Sequence, residues 1–279
     1  MGKLLIAGST GTVGSRLVQL AVGRPVKTLS RSAQPGDHVS VDAAAGVGGV
    51  CEGIETVFSA LGASVSLNAK ESRGYREVDT SANLNLITEA RRAGVRRFVY
   101  VSAHVGPGYA HTAYIRAHEE VVEALRASGL FYTIVRPTGI FTALDDLIGM
   151  ARRGFGVVIG SGKARANPVH PQDVAQLCFD CLDSGPLEIS IGGPEILTRR
   201  QIVETAFEAL GRPPRIRSVP AGVMRFGGKV LGLANRRKAE LLEFAAAVST
   251  SDSVAPTTAR RILLDYFRER ARLAPPGAG

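Results

Sequence analysis

Apolar residues come along this chain in short unbroken runs, each followed by glycine or polar residues and then by a stretch with helical spacing. Leu4, Leu5, Ile6 and Ala7 form the first run, the pattern of a strand buried on both faces of a parallel sheet. Gly8, Gly11 and Gly14 follow, and Val13, Leu17, Val18 and Leu20 then repeat at helical intervals. Residues 25–29, 38–42 and 55–61 read as further strands, with a small-residue helix or loop over 43–53. Leu84, Ile87, Ala90 and Ala93 mark a helix for which Asp79, Thr80 and Ser81 offer N-caps. Residues 97–101 make a fifth strand, 114–126 a long helix ended by Ser128-Gly129, and 131–135 a sixth strand. Strands alternating with helices predict an α/β protein built on a doubly wound parallel sheet.

The second half keeps the alternation but loosens it. Residues 157–159 read as a short strand before the Gly160-Ser161-Gly162 turn. A helix after Pro171 carries Val174, Leu177, Cys178, Cys181 and Leu182 on its apolar stripe, and 187–191 reads as a strand. Thr198 caps a helix that runs to Leu210, and 221–247 reads as one or two helices. The Pro/Gly/Ala-rich stretch 271–279 is expected to fray, and the polar, glycine-containing residues 63–76 to form a mobile loop.

Composition narrows the classes. The 279 residues suffice for one large α/β domain, or one with a small appendage, and 45% hydrophobic with 21% charged is ordinary for a globular protein. No apolar run is long enough for a membrane span, and the chain enters a strand at once, so neither a membrane nor a secretory signal is expected. Three cysteines without such a signal suit a reducing cytoplasm. The net charge of +9 is carried by scattered arginines with no aromatic-studded basic patch. That describes a solvated basic surface with some attraction for anionic cofactors, not a nucleic-acid binder.

Candidate chemistry begins at the first turn. A strand, a glycine turn and a helix opening at that turn form the arrangement that binds a dinucleotide pyrophosphate. Gly8 permits the tight turn, Gly11 lets backbone N–H groups approach the phosphates, and Gly14 lets the helix lie close on the sheet. Thr10 and Thr12 add hydroxyls, and Val13 opens the helix. The spacing is G-x-x-G-x-x-G, not the commoner G-x-G-x-x-G. In such a fold the end of the second strand meets the adenosine ribose. Here it reads Ser30-Arg31-Ser32, a guanidinium between serines, which suits a 2′-phosphate and so NADP(H) over NAD(H). Asp42, ending the third strand, could meet the adenine amino group, and Ala60, Leu61 and Gly62 are candidate backbone contacts beside the cofactor.

The stretches GSTGTVG, FVYVSAH, YIRAHEEVVEALRASGLFYTIVRPTGIF, NPVHPQDVA and IGGPEILTRRQI together resemble the atypical short-chain dehydrogenase/reductases, the NmrA-like NAD(P)-binding group in particular, from the first strand to about residue 220. The resemblance implies a Rossmann core over 1–140. Residues 141–279 would then hold the remaining core elements, about 157–185, and a small substrate-binding lobe from 141–156, 186–190 and 205–279. It also implies a catalytic tyrosine, a lysine four residues on, and a serine or threonine that orients the substrate oxygen. Tyr114 stands at the tyrosine position, but His118 stands where the lysine belongs, and the serine position falls to Ser102 or His104. Imidazole is shorter than lysine and largely neutral near pH 7. Pro137 and Thr138 would wall the nicotinamide.

Cys178 and Cys181 lie well inside a helix on its apolar stripe and read as small buried hydrophobes. No metal-ligand cluster, Walker motif or nucleophile elbow is present. The expectation is therefore an NADP-dependent reductase of a small or medium-sized carbonyl, enone or quinone, acting as monomer or homodimer. The alternatives are a non-catalytic NADP-binding redox-sensing regulator, and an isomerase, dehydratase or cyclase on the same scaffold.

Overall fold

The computed structural model describes residues 2–66, 72–232 and 235–273. In chain order the strands are β1 (Lys3–Ala7), β2 (Val26–Ser30), β3 (His38–Ser40), β4 (Ile54–Ser59), β5 (Arg97–Val101) and β6 (Phe131–Pro137). They continue as β7 (Gly156–Ile159), β8 (Arg165–Ala166), β9 (Glu188–Ile191), β10 (Leu197–Thr198) and β11 (Ile216–Val219). The helices are α1 (Gly14–Leu20), α2 (Ser81–Arg92), α3 (Ala113–Arg126), α4 (Asp145–Arg152), α5 (Pro171–Asp180), α6 (Arg199–Ala209), α7 (Ala221–Gly232), α8 (Arg236–Ser249) and α9 (Leu263–Leu273).

Seven strands form one sheet in the order β3-β2-β1-β4-β5-β6-β9, and every pairing in it is parallel. This is the doubly wound Rossmann-like α/β fold. Its order reverses between β1 and β4, which opens the crevice where such sheets bind ligands. The unbroken apolar runs follow from burial on both faces. Leu5 and Ala7 pack under α2 and α3 with Leu86, Ala90, Val121 and Leu125, whereas Leu4 and Ile6 pack under α1 and α5 with Leu17, Val174 and Cys178. Residues 43–53 form turns, not a helix, and press Ala43, Val47, Val50 and Cys51 into the first of these cores.

The C-terminal lobe has its own core of Phe141, Ile148, Val158, Ile202, Phe207, Leu263 and Phe267. Strand β7 belongs here and not to the main sheet, because it pairs in parallel with β11 and buries Val158 against this core. The return to the main core thus begins near Val169 and α5, later than residue 157. Conversely, β9 is a strand of the main sheet, bonded to β6, so 186–190 does not belong to the lobe.

Two further expectations change. Asp79, Thr80 and Ser81 do not cap α2; a π-helical turn over Arg76–Thr80 runs straight into it. Asp79 instead accepts from the Ala63 backbone N–H at 2.9 Å, and the Thr80 hydroxyl donates to the Ala117 carbonyl at 3.0 Å. At the C-terminus, residues 271–273 complete α9, and the rest of the expected frayed stretch lies outside the described residues. Residues 67–71 of the expected mobile loop also lie outside them. No helix among the described residues is long and apolar enough to cross a membrane.

Candidate active site

The glycine turn closes on itself by backbone contacts. Gly8 has φ of +80°, and a Cβ there would stand 2.6 Å from the Ala60 carbonyl oxygen. A Cβ on Gly14 would run into the Gly8 carbonyl oxygen and crowd the Ser9 Cα, so glycine here sets how closely α1 approaches the sheet. Gly11 is exposed, and its Cβ would meet only the Gly8 carbonyl, at 3.1 Å. The amides of Thr12 and Val13 have no backbone acceptor among the described residues. Exposed Thr10 and Gly11 lie beside them. The turn therefore leaves two backbone donors without a backbone acceptor where α1 begins, an arrangement that suits a pyrophosphate. The Thr12 carbonyl accepts from Arg16 at 2.8 Å, and its hydroxyl from Thr142 of the lobe at 3.4 Å. Arg16 is thus held beside the turn.

At the end of β2, Arg31 and Ser32 are exposed, while Ser30 is buried and donates its hydroxyl to the Ser32 carbonyl at 2.7 Å. Ser30 therefore shapes the turn that carries the exposed Arg31 and Ser32. Asp42 lies two residues beyond β3. Its carboxylate accepts from Arg73 at 2.8 Å and from the Ala44 N–H at 3.2 Å, so it is already committed within the protein. Ala60, Leu61 and Gly62 line the crevice beyond β4, fastened by Asn83, which donates to the Leu61 carbonyl at 3.3 Å. Pro137 and Thr138 end β6, both buried. The Thr138 hydroxyl donates to the Asn167 carbonyl at 2.5 Å, which leaves its methyl and main chain as wall.

Tyr114 sits in the first turn of α3 within an aromatic cluster. Its ring centroid is 4.9 Å from Tyr75, 4.7 Å from His118 and 4.6 Å from Phe244 of α8. His118 does share the helix face of Tyr114, but it is only 4% exposed and its Nδ1 lies 2.6 Å from the Tyr100 hydroxyl. Burial holds the Tyr100 phenol well above its ordinary pKa, so Tyr100 meets the imidazole as a neutral phenol. Burial, helped by the Arg136 charge, pulls His118 down to about 4. His118 is thus a neutral ring and does not supply the cation that a lysine would. Burial likewise pushes the Tyr114 phenol far above its usual value, with Asp79 and Tyr75 adding to the shift and Arg237 opposing it. Arg237 of α8 places its guanidinium 3.8 Å from the Tyr75 ring centroid and donates to the Ser64 carbonyl at 2.6 Å.

His104 points into its own loop. Its Nδ1 lies 2.7 Å from the Tyr109 hydroxyl, which donates to Ser253 at 3.0 Å. Burial and the Arg136 charge lower its pKa, so it too is neutral. Ser102 is buried and follows Tyr100 by two residues, on the same side of the sheet. Three buried polar atoms here have no hydrogen-bond partner among the described residues: the Tyr75 hydroxyl, Ser102 Oγ and His118 Nε2. Tyr75, Tyr100, Phe244 and Arg237 escaped sequence reasoning. Of these only Tyr100, in FVYVSAH two residues before Ser102, lay within a stretch already singled out.

The NAD(P)H-binding family matches residues 8–185, which span the glycine turn, Tyr114 and five of the seven strands of the main sheet, β2 to β6. The chain belongs to that family. Among curated relatives, divinyl chlorophyllide a 8-vinyl-reductase of Cucumis sativus is 29% identical over 259 residues, covering 82% of this chain and 62% of the relative. The photosystem II assembly factor Ycf39 of Synechocystis is 25% identical over 239 residues, covering 80% of this chain and 72% of the relative. The chain thus spans 62% of the length of the vinyl-reductase. Among solved structures, an NADPH-dependent quinone oxidoreductase of Escherichia coli in complex with NADPH superposes with TM-score 0.73 at 17% identity, over 95% of this chain and 99% of that one. A nucleoside-diphosphate-sugar epimerase of Staphylococcus aureus gives 0.74 at 14%, over 96% and 100%. The two structures show the fold, a Rossmann-like α/β fold.

Proposed function

We propose that the protein reduces an organic carbonyl, enone or quinone with NADPH, and that Tyr114 hydrogen-bonds the substrate oxygen and protonates it. The observation that carries this reading is the cluster at Tyr114, where the packed rings of Tyr75 and His118 each carry a buried polar atom with no partner among the described residues, the Tyr75 hydroxyl and His118 Nε2. The nicotinamide, when bound at the strand ends, supplies the hydride. Arg31 and Ser32 hold the 2′-phosphate, the open amides of Thr12 and Val13 hold the pyrophosphate, and Pro137 and Thr138 close one side. Tyr114 is protonated at neutral pH and so has a proton to give. Ser102 orients the oxygen, and the neutral His118 ring packs beside Tyr114. The vinyl-reductase relatives support a reductive reaction.

A second reading, a non-catalytic NADP-binding protein, is favoured by one observation. The residue in the lysine position is a neutral histidine turned onto Tyr100. The assembly-factor relative lends it support. Calorimetric titration of NADPH and NADH into wild type and Arg31→Ala tests the cofactor reading that both share. An NADPH preference that falls at least tenfold in Arg31→Ala is expected. Binding of neither nucleotide sinks the proposal.

A further inference from the structure

The net charge of +9 has one main source. The chain holds 34 Lys and Arg against 25 Asp and Glu, and the stretch between Glu208 and Glu240 contains eight of the former and none of the latter. The remainder of the chain is therefore close to neutral. Arg212, Arg215, Arg217, Arg225 and Lys238 of this stretch are exposed and enter no ion pair among the described residues. Elsewhere arginines such as Arg92, Arg126, Arg136 and Arg261 are matched by carboxylates. Like charges gathered in one region repel one another, and an anionic surface relieves that repulsion.

Helix α7 lies in the middle of this basic stretch and turns apolar side chains outward. It rests on α8 through Gly228, where a Cβ would stand 3.3 Å from the Leu242 Cβ. Ala221 and Met224 share that side at helical spacing, and both are partly buried. Val223 and Phe226 fall on the opposite side, 60% and 71% exposed, with exposed Arg225 beside them. The inward side is thus already packed, and the outward side is left with apolar groups projecting among cations. Projecting apolar side chains suit a soft surface that they can enter. Charge spread over a strand and two helices suits a surface that is anionic throughout. Both describe a lipid bilayer.

We infer that α7 docks the protein on an anionic lipid bilayer, with Val223 and Phe226 entering the headgroup boundary and the surrounding arginines meeting lipid phosphates. Such attachment lies in the plane of the membrane and needs no spanning helix. It sets the docked face one helix away from the candidate site, because α8 also carries Phe244 against Tyr114. The inference is independent of the reductase reading.

The chain has no tryptophan, so Phe226→Trp supplies a single fluorescent reporter at the docking face. Its emission is expected to move to shorter wavelength with vesicles of equimolar phosphatidylglycerol and phosphatidylcholine, and to stay in place with pure phosphatidylcholine. Wild type should sediment with the mixed vesicles, less so as salt rises, and the Val223→Ser, Phe226→Ser double variant should bind roughly tenfold more weakly or worse. Failure of wild type to sediment with the mixed vesicles overturns the inference. So does unchanged binding by the double variant, which would leave a basic surface acting without α7, or an unmoved emission in bound Phe226→Trp. Sedimentation velocity without lipid covers the other occupant: a dimer that the serine substitutions dissociate assigns the face to a second copy and overturns the inference too. Should the double variant not fold, the emission of Phe226→Trp decides.

Discussion

Replacing His118 by glutamine tests the electrostatics of the site through stability. The buried imidazole has a pKa of about 4 against 6.5 for an ordinary histidine. Below pH 6.5 the unfolded chain takes up a proton that the folded protein refuses. The stability that the neutral ring contributes is thus complete above pH 6.5, declines as pH falls, and is gone below about 4. At pH 4.5 the two units below the unfolded value cost about 2.7 kcal/mol, and partial protonation of the folded ring returns about 0.2 of that. His104 and His170, both with lowered pKa, act in the same direction but are present in both proteins and cancel. Urea unfolding followed by circular dichroism at pH 7.0 and 4.5 measures the loss in each. Wild type should lose about 2.5 kcal/mol more than His118→Gln on acidification. Equal losses would mean that His118 is charged or hydrated in the folded state, and the argument that it cannot replace the lysine would fail.

Other expectations are more local. Gly14→Ala forces a methyl against the Gly8 carbonyl, so it should cost about 2–3 kcal/mol in chemical denaturation and abolish NADPH binding. Gly11→Ala meets only one oxygen at 3.1 Å, so it should fold near wild type and lose nucleotide affinity in calorimetry. Cys51, Cys178 and Cys181 are buried, and burial raises each thiol, Cys51 to about 12. A thiol reagent should therefore label none of them in minutes in the native protein and all three in urea; rapid native labelling of the Cys178–Cys181 pair would revive a redox role.

Much of the core was legible because burial on two faces writes an unbroken apolar run, and Leu4–Ala7 next to the glycine turn left little freedom. The misplaced strand shows where that logic ends. Val157-Val158-Ile159 has the same look as a core strand, but its partner, Ile216–Val219, is half polar and lies in a distant part of the chain. Local pattern carries no information about which sheet a strand joins. The site divides the same way. Gly8, Gly14 and Tyr114 stand at fixed offsets from elements that patterning can find. Tyr75 sat in a segment that reads as polar loop, and a π-helical turn follows it that no periodicity announces. Arg237 and Phe244 come from α8, whose placement over α3 is decided by tertiary packing. His118 was visible as a departure from the family, but its neutrality follows from Tyr100 and burial, which only the folded structure displays.

The most direct test of the proposed reaction is NADPH oxidation followed by absorbance with a panel of ketones, enones and quinones, for wild type and Tyr114→Phe. The account predicts turnover with at least one class and a fall in kcat of about a hundredfold in Tyr114→Phe, in the usual range for loss of a general acid, with NADPH affinity unchanged. Tight NADPH binding with no oxidation by any member of the panel would contradict it and leave a nucleotide-binding protein without this chemistry.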